Sequence, residues 1–487
     1  MKRILILLAL SLVCHAAPAT DLLAVYQRAL QNDPQLREAE ANRLAALESK
    51  PQALAALLPQ LAGNGTASKE KDSGNSNTVE SVEVSGATTG GTVLESFPFN
   101  GRTTTTTHHY GVDLKQNLFR WENWVALQRA DAQVAQAEAD YQAAQQDLMA
   151  RVAQRYFDVL AAQDDLDAQQ ANLASVNRQL EQAESRYQVG LVAITDVQEA
   201  RAAHDSGAAA VIASKRQLAS AQELLREITG DVFDYLARPN EPFELTNPDP
   251  SSEDRWVEMA LQQNLSLVSS RLAADIARDN VSAARGGHLP SVDLYASRYK
   301  ATSDGVYTNA DNTPYGSTSL DQYQNVIGIQ FTFPIYSGGM VSSLVRQAVY
   351  LQRAAKERLE RVARQTEHDA RDAYLGVLSE ISRVQALRRA LESNVTALNA
   401  TEAGYEAGTR TAVDVLASRR LWVQAQTDYS RSRYDYMINV LKLQQAAGIL
   451  SEQSLNRLNG LLKDSPDAAA PEPVQAPPPA APPAKDR

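Results

Sequence analysis

Arg410 and Asp414 stand four residues apart in the stretch "AGTRTAVDVLASR". On a helix, an arginine and a carboxylate at that spacing form a solvated surface pair that contributes roughly 0.3 to 0.5 kcal/mol. The chain offers little that could do covalent chemistry. It contains no nucleophile motif, phosphate-cradling loop or metal-ligand spacing. His108 and His109 lie in a Thr-rich stretch without nearby carboxylates, and His204 falls on an apolar helix seam, where packing accounts for it better than ligation. The single cysteine, Cys14, sits in an apolar N-terminal stretch that reads as a secretory signal, so no disulfide can form and no thiol ligand is expected. Scattered carboxylates are the solvated faces of helices. No enzyme, cofactor or metal site is expected.

The polar residues belong instead to a pattern written twice. "YQVGLVAITDVQEAR" and "GYEAGTRTAVDVLASR" match at an offset of 218 residues, which pairs Tyr187 with Tyr405, Gly190 with Gly408 and Asp196 with Asp414. "RALQND" at Arg28 is echoed by "MALQQN" at Met259, and "LLPQL" at Leu57 by "HLPSV" at His288. Each half reads as helix, strand, long loop, strand, long helix, break and shorter helix. The first repeat is placed at 20–237, with strands near 58–68 and 109–119, a long helix at 121–189 and a shorter one at 192–229. The second is placed at 256–448, with strands near 289–300 and 325–335 and helices at 340–407 and 410–447. A Pro-rich, acidic linker at 238–255 separates them, and 449–463 follows the second.

Composition fits rods better than a broad globule, with 44% apolar residues but only 6% aromatics among 487. Residues 1–19 read as a signal peptide and predict export, while the Pro/Ala-rich tail at 464–487 cannot pack a core and reads as disordered. A net charge of −11 argues against a nucleic-acid partner. Beyond the signal, no apolar run is long enough for a spanning helix, so entry into a membrane would have to be as strands.

From Trp121 to Val189 there is neither Gly nor Pro, enough for a helix of roughly 100 Å. Its apolar residues recur every seven, at Leu127, Val134, Tyr141 and Leu148. After a step of four they continue at Val152, Val159, Leu166, Leu173, Leu180 and Tyr187. Sustained heptads mean coiled coil, and the step of four is a stutter that straightens the supercoil. The shorter helices carry matching seams, Val197, His204, Val211, Leu218 and Leu225 in one and Val415, Trp422, Tyr429, Tyr436 and Leu443 in the other.

The strands alternate. Ile327, Ile329, Phe331, Phe333 and Ile335 oppose Gly328, Gln330 and Thr332; Tyr110, Val112, Leu114 and Leu118 oppose Asp113, Lys115 and Asn117. One apolar and one charged face is the outer-membrane barrel signature. Four strands cannot close a barrel, and open edges in lipid leave backbone groups unpaired, so oligomerisation is expected, with three copies giving twelve strands. Residues 69–108 and 301–324, rich in Thr, Ser, Gly and Asn, read as long external loops. Trp121 and Trp124 admit two readings, interface anchors or packing at a helix start.

The signal, the duplicated units and above all the two tip motifs resemble the TolC family of outer-membrane channel-tunnels, from about Asp21 to about Leu462. That resemblance implies a mainly α fold with membrane β structure. It implies a homotrimer whose 12-stranded β-barrel in outer-membrane lipid joins a periplasmic α-helical barrel of coiled coils. An equatorial belt would take 238–255 and 449–463. The implied function is a passive exit duct for multidrug efflux and type I secretion in a Gram-negative bacterium. Its implied partners are a periplasmic adaptor (membrane fusion) protein and inner-membrane RND, ABC or MFS pumps, and it would open by an iris-like movement of the hairpins.

By the same resemblance Gln179, Thr195, Asp196, Tyr405 and Arg410 form the gate network that holds the inner hairpin to the outer one, and Gly190 and Gly408 are adaptor-contact tips. Asp414 would form an acidic ring at the entrance. The chain departs from the family there: its best-known member has two aspartates three apart, and this one has Asp414 but Ala417, with Arg419 and Arg420 near enough to offset the ring if they turn inward. The rival reading is a periplasmic coiled-coil or adaptor protein outside the membrane; the apolar-faced strands speak against it.

Overall fold

The computed structural model describes residues 20–83, 92–233, 235–240, 244–309 and 311–463. The expected signal peptide, with Cys14, and the expected disordered tail lie outside them. In chain order the elements are α1 (Leu22–Asn32), α2 (Pro34–Leu47), α3 (Ser49–Ala55), β1 (Gln60–Glu83), β2 (Thr92–Phe119), α4 (Trp121–Gln188), α5 (Ile194–Thr229), β3 (Arg238–Pro239), α6 (Glu253–Gln263), α7 (Leu265–Gly286), β4 (Ser291–Asn309), β5 (Pro314–Thr332), α8 (Met340–Glu406), α9 (Ala412–Ala446), α10 (Glu452–Asn459) and β6 (Leu462–Lys463). Mainly helical with a four-stranded antiparallel sheet, this is the fold class read from the sequence. Among the described residues no helix is long and apolar enough to cross a membrane.

The duplication is visible in backbone detail. Asp33 ends α1, its N–H donating to Ala29 O at 2.8 Å, and starts α2, its carboxylate accepting from Leu36 N–H at 2.8 Å. Asn264 does the same between α6 and α7, with bonds of 2.9 Å to Ala260 O and 3.1 Å from Leu267 N–H. Pro34 follows the first of these caps, at the helix position that has no N–H to lose. The long helices are also twins, α4 with 68 residues and α8 with 67, as are α5 with 36 and α9 with 35.

The chain forms two compact units. The larger (Met1–Ala45, Ala135–Leu272, Glu357–Arg487) has its core where Leu148, Val152, Tyr156 and Phe157 of α4 meet Tyr434, Met437 and Leu441 of α9, with Leu22, Val25 and Leu455 closing it. Phe157 stacks on Tyr434 with ring centroids 5.7 Å apart. The linker and the C-terminal segment meet here: β3 pairs antiparallel with β6, and the Tyr156 hydroxyl donates to Ala237 O at 2.8 Å.

The smaller unit (Ala46–Val134, Ala273–Lys356) holds the sheet, in the order β1-β2-β4-β5. Leu61, Leu114, Ala296 and Ile327 are cross-strand partners in one row, and directly opposed residues share a face. Ile329 and Phe331 extend that face, each 66% exposed. The opposite face carries the row Asn64, Gly111, Tyr299 and Gln324. Glycine is required there, because a Cβ on Gly111 would stand 2.5 Å from that of Tyr299. Trp121 donates through Nε1 to Ser282 O at 3.1 Å, a contact at the helix start, and both Trp121 and Trp124 are exposed.

The expected loops at 69–108 and 301–324 are largely strand. Pairing continues to Glu83–Thr92 in one hairpin and to Thr308–Pro314 in the other. These stretches show no sustained apolar alternation because polar residues fall on both faces, and the backbone ladder, with β-branched Thr103 to Thr107, carries them.

Candidate functional site: the hairpin tips

Both long helices end in the same way. Gly190, at φ 75°, donates to Tyr187 O at 2.9 Å while Leu191 N–H donates to Arg186 O at 2.9 Å. Gly408, at φ 73°, donates to Tyr405 O at 3.1 Å while Thr409 N–H donates to Gly404 O at 2.8 Å. Each is a Schellman closure that satisfies the last carbonyls of its helix. A Cβ on either glycine would meet nothing within 4 Å, so the backbone conformation, not crowding, demands glycine.

The return helices start differently. Thr411 caps α9: its Oγ1 accepts from Asp414 N–H at 3.3 Å, and Asp414 Oδ2 accepts from the Thr411 N–H and hydroxyl, both at 2.9 Å. These hydrogen bonds, backbone first, with Arg410 nearby, hold the Asp414 carboxyl below the usual carboxylate range. The Arg410–Asp414 ion pair expected from spacing is not formed. Arg410 precedes the N-cap and so lies off the helix, while Asp414 sits at the third helical position, within reach of the cap's donors. The counterpart of Thr411 is Ala193, which caps nothing, and Thr195 Oγ1 approaches Asp196 Oδ1 only to 3.5 Å. Asp196 thus keeps acceptor capacity.

Among the described residues, that marginal contact is the one hydrogen bond within the set Gln179, Thr195, Asp196, Tyr405 and Arg410. Tyr405 instead lies under Arg186, whose guanidinium carbon is 5.4 Å from the ring centroid, a cation–π link between the two hairpins. Gln179 Oε1 is buried without a donor, and Arg410 and Thr195 are exposed. His204 is half-buried, its Nδ1 3.1 Å from Asp205 Oδ1.

Two ion pairs inside the hairpins went unread in the sequence. Arg201 bonds Glu184 at 2.8 Å, and Arg419 bonds Glu402. Both pairs span 17 residues and they are related by the 218-residue offset, which is the signal that could have revealed them. A small apolar cluster of Ala183, Val197 and Ala200 packs beside the first.

Farther along the hairpins a polar cluster is buried against the core. The Tyr434 hydroxyl donates to Asp164 Oδ2 at 2.8 Å, and Arg238 bonds Asp167 at 2.8 Å and approaches Asp164 to 3.6 Å. Burial lifts the Asp164 carboxyl above its usual range, against the pull of Arg238 and of the Tyr434 hydrogen bond. The arrangement ties the linker to α4 and α9 and presents no reacting pair.

The family model described as "Outer membrane efflux protein" matches residues 25–231 and 256–449. Outer membrane protein TolC of Vibrio cholerae serotype O1 is 37% identical over 469 residues, covering 95% of this chain and 99% of the relative. Alkaline protease secretion protein AprF of Pseudomonas aeruginosa is 28% identical over 448 residues, covering 92% of this chain and 88% of the relative. The crystal structure of the Campylobacter jejuni CmeC outer membrane channel superposes with a TM-score of 0.67 at 18% identity, covering 90% of this chain and 89% of that one, a likeness of fold.

Long hairpins with glycine-closed tips, an amphipathic sheet and these matches define a passive outer-membrane exit duct for efflux and type I secretion, extending into the periplasm, and not an enzyme. The chain belongs to the outer membrane efflux protein family. A periplasmic coiled-coil protein outside the membrane, the rival reading, does not stand.

Proposed function

We propose that three copies of the chain assemble into one duct, each contributing four strands to a twelve-stranded barrel and two hairpins to a helical tunnel. The observation that carries this is the sheet itself, whose strands β1 and β5 pair on one side only while Ile327, Ile329 and Phe331 are exposed on one face. In lipid the apolar face is solvated and the edges are not, so closure must come from other copies. The linker and the segment after α9, joined through β3 and β6, would make the belt.

At the tips, Tyr405 and Arg410 of the inner hairpin would donate to Gln179, Thr195 and Asp196 of the outer hairpin, within and between subunits, and hold the entrance shut. The donorless Gln179 Oε1 and the uncapped Asp196 support that assignment. Opening would be an iris-like separation of hairpins. An adaptor protein would meet Gly190 and Gly408, and RND, ABC or MFS pumps in the inner membrane would supply energy that the duct lacks. Planar-bilayer recording on purified trimer tests this: a discrete, low-conductance closed pore is expected, and no pore from pure trimer would overturn it.

A further inference from the structure

We propose that Arg419 is a clasp holding the second hairpin against the first within each subunit, a closing residue beyond the tip network and specific to this half of the repeat. Its guanidinium reaches two other helices. From α9, one terminal nitrogen donates to Glu402 of α8, inside its own hairpin, and the other donates to Ser175 Oγ of α4, in the neighbouring hairpin. The planar fork of arginine allows both at once, which a lysine cannot match.

The repeat supplies an internal control. Arg201 is the counterpart of Arg419 and makes the corresponding bond to Glu184, but among the described residues no hydrogen bond takes it to the other hairpin. Its side chain is 54% exposed, against 14% for Arg419. Surface ion pairs of the Arg201 kind contribute little, whereas a partly desolvated arginine with two oriented acceptors is held more firmly. Separation of the hairpins would break the Arg419–Ser175 bond and leave the Arg419–Glu402 bond intact. The bond to Ser175 is therefore available only while the two hairpins lie together.

This inference rests on the reading of the tips as a gate that opens by hairpin separation, and the test keeps the two apart. Arg419→Gln and Ser175→Ala would each be compared with Arg201→Gln in full-length protein, by single-channel conductance and by amide hydrogen exchange along α4 and α9. Arg419→Gln and Ser175→Ala should raise open probability, and should speed exchange in both hairpins about tenfold, the change expected from loss of one charge-assisted hydrogen bond. The two changes should be non-additive when combined, and Arg419→Lys should restore only part of the effect. Arg201→Gln should leave conductance unchanged and affect exchange in the first hairpin alone. Equal responses to Arg419→Gln and Arg201→Gln, or additive effects of Arg419→Gln and Ser175→Ala, would overturn the clasp. Faster exchange with no change in open probability would keep the clasp and refute the gate.

Discussion

Replacing Gly190 or Gly408 by Trp should abolish adaptor docking while sparing the fold, and the cost of each change can be worked from the backbone. Three glycines share one geometry: Gly190, Gly408 and Gly448 have φ of 75°, 73° and 75°, and Gly448 closes α9 with the same pair of hydrogen bonds, 2.9 Å to Gln445 O and 2.9 Å from Ile449 N–H to Gln444 O. An L side chain in the left-handed region costs about 1–2 kcal/mol at any of them. At the two tips nothing lies within 4 Å of the added Cβ, so no backbone clash adds to that cost. At Gly448 the Cβ would fall 2.6 Å from the carbonyl carbon of Gln263, and backbone cannot yield as a flexible side chain can. Gly190→Trp and Gly408→Trp should therefore leave the melting temperature of the solubilised trimer nearly unchanged and speed hydrogen exchange only near the tips. Gly448→Ala, a far smaller change, should sharply reduce assembly. Crosslinking to the adaptor and efflux in cells complete the assay. Normal crosslinking and efflux in both tryptophan variants would move the docking surface elsewhere; a Gly408→Trp trimer as unstable as Gly448→Ala would refute the open-space argument itself.

Tyr405→Phe with Arg410→Ser should raise single-channel conductance without lowering trimer stability, since hydrogen bonds to charged groups contribute roughly 1.5 to 3 kcal/mol each; unchanged conductance would count against the network. Asp414 should make the entrance cation-selective with weak block by trivalent cations, strengthened by Ala417→Asp and abolished by Asp414→Ala, read by titrating a trivalent ammine complex against current. Arg419 folds onto Glu402 and Ser175 and is not free to offset that ring. Because the Asp414 carboxyl is held below its usual range, selectivity should persist as pH falls through the ordinary carboxylate value near 4, and the stability contributed by its cap should be lost only below that value. Thr411→Val should move both transitions upward in pH. Tyr434→Phe should cost about 1–3 kcal/mol in thermal unfolding, because it strips a donor from the buried Asp164 carboxyl.

Repetition was legible in the chain because coiled-coil structure is local. Heptad spacing, absence of Gly and Pro, and glycines just past each long helix set where α4 and α8 run and where they stop, and Gly190 and Gly408 take the positive φ that their positions required. Asp33 and Asn264 were visible only as part of an echoed motif; their double capping role emerged from the fold. The strand extensions at 69–83 and 92–108 were not legible, since alternation reports burial of one face and these stretches have polar residues on both.

What the sequence determined by itself, then, was the period, the breaks and the apolar faces, all properties of residues within a few positions of one another. Only the tertiary structure decided which polar groups meet. Asp414 turned to its own cap, Arg419 reached Ser175 across 244 positions of chain, and β3 found β6. Such pairings depend on how two helices or strands are rotated and offset when packed, and a one-residue change of register exchanges the partners while leaving every local pattern as it was.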